Sequence, residues 1–309
     1  MIITVTMNPA IDKTVDIGEF LYGGLNRIKT AVSDAGGKGI NVSKTIQNLG
    51  GKTIATGFLG GNGGTIIKQV LSKLEIETDF VPALGETRTN MKVVDAGGKV
   101  TEFNEPGPSI LPQEIDQLLN KLENLASVDT LFVLAGSIPA GVDKGIYRTI
   151  IEIVKAKGAK VFLDADGELF KNALEAKPDY IKPNRFELEQ YFSFDGTATD
   201  EDLIVMGRKL QEKGIGTVAI SLGSEGALFV LPEAAIKAPG LKVEAHSTVG
   251  AGDAMVAALC YGIDQKLPME ECIQLGVATS AGAVTTIGTK PPTKDLVDTL
   301  KKQVTLIRL

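Results

Sequence analysis

Tryptophan is absent from this chain of 309 residues, histidine occurs once and cysteine twice. His246, Cys260 and Cys272 lack the spacing of a zinc or iron site, and two thiols do not make a disulfide scaffold. Both cysteines stand in apolar stretches that read as helical, where a free thiol behaves as a small buried hydrophobe. So low a count suits a reducing, cytoplasmic compartment. Residues 272–289 carry no charge but are rich in Gly, Ser and Thr, which predicts a buried helix and not a membrane span. The first ten residues lack the basic start and apolar core of an export leader. An excess of basic charge is missing too. The formal net charge is −6, which argues against nucleic acid or an anionic membrane as partner. An anionic ligand would have to be held by a local cluster of Lys and Arg.

What is present is apolar bulk and glycine. Hydrophobic residues make up 43% of the chain, enough for a substantial core in one large α/β domain or two smaller ones. The 35 glycines fall largely in short clusters, which suggests tight turns and close approach of backbone to a ligand. Strand and helix signals alternate. Strands are expected at 2–7, 53–59, 130–134, 160–163, 180–182, 217–221, 227–231 and 241–243. Helices are expected at 39–49, 64–74, 143–157, 200–213 and 254–263. Short apolar strands alternating with amphipathic helices imply a parallel sheet covered on both faces. Two segments depart from this rhythm: about 12–34 and 88–103 read as short strands with Gly-Gly turns and no helix. They are expected to form a small antiparallel sheet, either a lid over a ligand crevice or an edge extension.

Four glycine-rich or polar stretches carry the chemistry. Ser247 to Ala254 (STVGAGDA) opens an apolar helix. Gly250, Ala251 and Gly252 would present free N–H groups at the positive end of the helix dipole, an anion cradle. Asp253 beside it is either an ordinary helix cap or a base that takes a proton from an attacking hydroxyl. Ala35 to Val42 (AGGKGINV) also runs from a glycine turn into a helix; Gly37, Lys38 and Asn41 could meet sugar oxygens or phosphate, or Lys38 could be merely solvated. It is no Walker A loop, since the glycine that should precede Gly51-Lys52-Thr53 is Ile46. Ser221, Gly223, Ser224 and Gly226 lie in a loop after a strand, either a nucleotide contact or a plain hairpin turn. Lys182-Pro183-Asn184 precedes a helix in which Asn184 and Glu187 form a capping box, a pair that holds Mg²⁺, or both. Asp12, Arg27, Arg88, Asn90 and Ser137 are weaker signals; the two arginines fall in the expected lid, and the guanidinium fork suits a phosphate ester.

Together these stretches resemble the ribokinase-like sugar kinases, and among them the phosphofructokinase B group. GGKG at 36–39 and TVGAGD at 248–253 match its two signature motifs, and residues 4–12, 182–184 and 221–223 fall in family order. The resemblance spans nearly the whole chain. It implies one domain over 1–309: a three-layer α/β/α sandwich with a mostly parallel sheet and a small antiparallel β lid. It implies transfer of phosphoryl from ATP, with Mg²⁺, to a hexose phosphate: fructose 1-phosphate first, tagatose 6-phosphate or fructose 6-phosphate as alternatives. A sugar-phosphate sensor without catalysis is a more distant reading. Asp253 would be the base and Gly250 to Gly252 the anion hole. Asp12 and Asn41 would hold sugar hydroxyls. Lys38, Arg27, Arg88, Asn90 and Ser137 would surround the substrate phosphate, with Gly37 beside them. Lys182, Asn184, Glu187 and the 221–226 loop would serve MgATP. The likeness also implies a homodimer paired through the lid. One departure is Asp164-Ala165-Asp166-Gly167, where the group commonly carries Ser before the Gly; Asp166 adds a negative charge to that loop.

Overall fold

The protein is described by a computed structural model covering residues 1–286 and 288–309. The strands are β1 (Ile2–Thr6), β2 (Ala10–Asp16), β3 (Thr30–Gly36), β4 (Thr53–Gly60), β5 (Glu77–Thr78), β6 (Val81–Ala83), β7 (Arg88–Val94) and β8 (Val100–Asn104). They continue with β9 (Leu131–Ala135), β10 (Lys160–Asp164), β11 (Tyr180–Ile181), β12 (Thr217–Ser221), β13 (Gly226–Val230), β14 (Ala235–Pro239) and β15 (Ile307–Arg308). The helices are α1 (Lys38–Asn48), α2 (Gly61–Lys73), α3 (Pro112–Leu125), α4 (Ile146–Ala156), α5 (Gly167–Leu174), α6 (Arg185–Phe192), α7 (Asp200–Glu212), α8 (Ala251–Asp264), α9 (Met269–Ala283) and α10 (Lys294–Lys301).

The central sheet runs β15-β14-β13-β12-β11-β10-β9-β1-β4-β5, with β6 also on β4. From β12 through β5 every pairing is parallel, and β13 to β15 extend it antiparallel. Its inner strands, such as β9 (LFVLA) and β13 (GALFV), are apolar because both faces are covered. Side chains alternate between two cores. Ile3 and Val5 of β1, Phe132 and Leu134 of β9, and Val161 and Leu163 of β10 pack with α3 to α7. Ile2, Leu131, Val133 and Phe162 point the other way, to α1, α8, α9 and α10. The result is a three-layer α/β/α sandwich. Among the described residues no helix is long and apolar enough to cross a membrane.

The second sheet is the lid, in the order β3-β2-β7-β8. Its outer pairs are antiparallel and its central pair, β2 with β7, is parallel, which sets Asp12 opposite Asn90. Val15, Ile17 and Val93 form its small core. Buried Lys44 of α1 ties the lid to the body, donating to Asp34 Oδ2 at 2.6 Å and to the Ala35 carbonyl at 3.0 Å.

Three expectations need correction. Residues 241–243 are not a strand; β14 ends at Pro239, and its free edge is taken by β15. Leu241 and Val243 instead pack, half-buried, on the α8–α9 core. The uncharged run 272–289 is helical only to Ala283. There the Thr285 and Thr286 hydroxyls donate to the carbonyls of Gly282 and Ala283 and compete with further helix. Helix α2 starts at Gly61, earlier than its apolar spacing suggests, because the Glu86 carboxylate accepts from the N–H groups of Asn62 and Gly63. Cys260 and Cys272 are buried free thiols.

Phe132, fully buried on a central strand, tests the larger core. Phe132→Ala is expected to cost about 3–5 kcal/mol; urea unfolding followed by far-UV circular dichroism reads this as a lower midpoint at unchanged slope.

Candidate active site

Helix α8 begins at Gly250, whose φ of 84° is left-handed and strained for other residues. In the turn it starts, Ala251 donates to the Thr248 carbonyl at 3.4 Å. The N–H groups of Gly250, Gly252 and Asp253 find no backbone acceptor among the described residues. Open donors at the positive end of a helix dipole are an anion site in waiting. Asp253 is the third helical residue and makes no cap bond; the cap position belongs to Gly250. Asp253 is therefore not the helix cap, while it does stand as an acid in the first turn. Its Oδ2 accepts instead from Asn41 Nδ2 at 2.8 Å.

Asn41 reaches Asp253 because of how α1 starts. Gly37 has φ of 110°, and a Cβ there would stand 2.6 Å from Thr6 Cγ2. Only glycine lets the chain leave the lid, turn against β1 and open α1 beside α8.

The carboxylates around the turn differ in what holds them. Burial lifts the Asp253 carboxyl to about 6, and the nearby Asp164 pushes the same way; Lys38, Asn41 and Lys182 oppose it. Burial works against Asp164 also. There Lys182 and Lys38 prevail and hold it below the ordinary carboxyl value. The ion pairs are Lys182 Nζ to Oδ1 at 3.3 Å and Lys38 Nζ to Oδ2 at 3.5 Å. Burial lowers the Lys38 ammonium, but Asp164 and Asp253 outweigh that and raise it.

Two cavities meet at the turn. The first, of about 350 Å³, lies between body and lid. Asp12, Arg88 and Asn90 line it from the lid, Gly37, Lys38 and Asn41 from the start of α1. Ser137 lines it after β9, with Gly250 and Asp253 on the α8 side. Asn90 Nδ2 donates to Asp12 Oδ1 at 3.1 Å, and burial raises the Asp12 carboxyl. Thr6 Oγ1, Asn8 Oδ1, Asn41 Oδ1, Asn90 Oδ1 and Arg88 Nε are buried without a partner among the described residues. All five residues line this cavity. A ligand rich in hydroxyls and phosphate oxygens would satisfy them. Thr6 and Asn8 were missed in the sequence; Asn8-Pro9 marks a strand end, but nothing in one sequence says that its amide faces a hollow.

Arg27 is not brought to this site. It is exposed and lines neither cavity. The Asn26 side chain closes the loop upon Leu21, and Lys29 N–H bonds the Asp16 carbonyl. Arg27 is thus held at the Asp16 end of β2, while the cavity is at the Asp12 end.

The second cavity, of about 390 Å³, has a largely apolar wall that includes Leu241, Val243, Met255 and Val277. Asn184, Ser221, Gly223, Ser224 and Gly226 line it, as do Thr248, Ala251 and Gly252 of the turn. The 221–226 segment is also the hairpin between β12 and β13, closed by a short 3₁₀ turn, so it is at once a plain turn and part of the cavity wall. Lys182 is buried and lines neither cavity; a Cβ on Gly252 would stand 3.4 Å from its Nζ. Asn184 and Glu187 form a reciprocal capping box, with both bonds at 2.8 Å. Only Glu187 Oε2 is used in it; Oε1 has no hydrogen-bond partner among the described residues, although Glu187 itself lines neither cavity. Among the described residues no cluster of three or more His, Cys, Asp or Glu could cage a metal. That donor set fits Mg²⁺ bound through few protein groups and the phosphates of a ligand.

A helix-start anion turn shared by two cavities, with a carboxylate facing one of them, defines a phosphotransferase acting between two bound small molecules. The sequence pattern of the pfkB family carbohydrate kinases matches residues 3–296, and the chain belongs to that family. It is 38% identical over 309 residues to the 1-phosphofructokinase of Bacillus subtilis, covering all of both chains. It is 33% identical to the 1-phosphofructokinase of Vibrio cholerae, over 98% of this chain and 95% of that one. Among solved structures it superposes on Escherichia coli phosphofructokinase-2 in complex with fructose 6-phosphate with a TM-score of 0.91, at 28% identity and 98% coverage of each chain.

If Asp253 works as a base it must be ionised. Activity is then lost as pH falls through its raised value, so the acid limb of kcat/KM is expected near pH 6. Asn41→Ala removes the bond that favours the ionised form and should move that limb to higher pH. A pH–rate profile of both proteins checks the position and the direction.

Proposed function

We propose that the protein transfers the γ-phosphoryl group of ATP to the 6-hydroxyl of fructose 1-phosphate, yielding fructose 1,6-bisphosphate and ADP. One observation carries this reading: the turn at Gly250 to Asp253 is the common wall of two cavities, one lined by unpaired polar groups and one largely apolar. The sugar phosphate occupies the first, under the lid, and ATP the second. The 1-phosphofructokinases similar over the full chain support the choice of sugar phosphate.

Asp253 accepts the proton of the 6-hydroxyl as that oxygen attacks the γ-phosphorus in line and the bond to the β-phosphate oxygen breaks. The N–H groups of the turn take up charge developing on the moving group. Asp12 and Asn41 orient sugar hydroxyls, while Lys38, Arg88, Asn90 and Ser137 hold the phosphate ester. Asn184, Ser221, Gly223, Ser224 and Gly226 seat the nucleotide. Mg²⁺, held by Glu187 with Asn184 beside it, would neutralise the ATP phosphates. The lid keeps water from taking the phosphoryl group. Fructose 6-phosphate is the second reading, because the similar fold noted above holds it.

The outer lid exposes Tyr22, Leu25, Val32, Val100 and Phe103. Apolar area of this kind is well suited to cover by a second copy, and we assign the lid as a homodimer interface. Sedimentation should give a dimer at micromolar concentration and a monomer for Phe103→Glu.

Asp253→Asn should lower kcat by about 10²–10⁴-fold with little change in ATP affinity. Arg88→Ala should raise KM for the sugar phosphate and leave that for ATP in place. A coupled ADP-release assay over fructose 1-phosphate, fructose 6-phosphate, tagatose 6-phosphate and free sugars reads both effects and identifies the acceptor. Near-normal kcat in the Asp253 variant removes it as the base.

A further inference from the structure

Asp164 closes β10, is 3% exposed, and touches neither cavity. Its two oxygens are divided between two cations from distant parts of the chain: Oδ2 meets Lys38 at the start of α1, and Oδ1 meets Lys182 after β11. Lys38 lines the first cavity; the Lys182 ammonium would stand 3.4 Å from a Cβ on Gly252, a residue that lines the second. We propose that Asp164 is a positioning residue, which fixes Lys38 and Lys182 beside the Gly250–Asp253 turn so that their positive charge is held next to the path of the phosphoryl group. The inference rests on the phosphotransfer reading above.

Two ammonium groups beside one turn repel each other and would swing toward water. A shared carboxylate removes that tendency, and the lysines in turn stabilise a carboxylate that could not stay ionised alone. Positive charge fixed in advance along the path needs no rearrangement when charge develops on the phosphoryl oxygens. The same triad reaches Asp253. The charged groups facing that carboxylate are Asp164 from the end of β10, Lys38 from α1 and Lys182 from the segment after β11, with neutral Asn41 bonded to it. Around the triad itself stand Asp166, Glu187 and Tyr147, whose hydroxyl donates to the Gly136 carbonyl at 3.0 Å.

The test is the acid limb of kcat/KM, which a residue that merely packs would not move. Asp164→Asn removes a negative neighbour of Asp253 and leaves the lysine charges unopposed. It should shift the limb down by about one pH unit and lower kcat at least tenfold. Lys182→Met removes a positive neighbour and should shift the limb up. Asp164→Glu keeps the charge and should leave the limb in place. Opposite displacements in the first two variants support the proposal; a limb fixed at its wild-type position in both overturns it. If Asp164→Asn fails to fold, the Lys182→Met displacement decides alone. Failure of the kinase reading is distinct: the wild-type protein would then release no ADP with any sugar phosphate, whatever residue 164 is.

Discussion

To serve as the base proposed for it, a carboxylate buried at the positive end of a helix must be kept ionised without being neutralised by its surroundings. Asp253 meets this requirement through a balance. Burial and Asp164 favour the proton, while Asn41, Lys38 and Lys182 resist it. An exposed acid would be a weak base at neutral pH, and an unassisted buried one would stay protonated. The value of about 6 lies between these limits, where a general base is both available and effective. The groups in the balance arrive from α1, from the end of β10 and from the segment after β11, so the rest of the structure can be read as what brings them together.

The parallel sheet does most of that work. Its carboxyl ends deliver Asn8 after β1, Ser137 after β9, Asp164 at the end of β10, Lys182 after β11 and Ser221 at the end of β12 to one edge. In open α/β sheets ligands bind in the crevice outside those ends. Helices α1 and α8 then start at the same edge, each from a glycine of positive φ. Opening one helix there supplies Lys38 and Asn41; opening the other supplies the anion turn. The lid, anchored by Lys44 on Asp34, covers only the cavity with the unpaired polar groups. The two cavities thus differ in character, one polar and covered, the other largely apolar.

Much of this was legible in the sequence. Apolar runs such as 130–134 and 217–221 showed a sheet covered on both sides, and the amphipathic spacing of 200–213 placed α7 closely. The glycine turns at 36–39 and 248–253 located both helix starts, because glycine is demanded where φ is positive. What could not be read depends on long-range contacts. The Glu86 carboxylate that starts α2 comes from 24 residues downstream of Asn62. The half-buried alternation of Leu241 and Val243 resembles a strand until β15 is seen to take the edge of β14. Arg27 suits a phosphate ligand by residue type, yet the loop closed by Asn26 holds it outside both cavities of its own chain. Thr6 and Asn8 carried no local signal, since their unpaired atoms have meaning only beside the cavity they line.

The central claim is that phosphoryl passes between the cavities across the Gly250–Asp253 turn. The most direct measurement is a crystal structure with ADP, fructose 1-phosphate and a planar aluminium fluoride in place of the transferring group. The account predicts fluorides against the free N–H groups of the turn and the 6-hydroxyl oxygen within about 2.6–3.2 Å of Asp253. A fluoride bound away from the turn, or a sugar whose 6-hydroxyl points elsewhere than to Asp253, would contradict it.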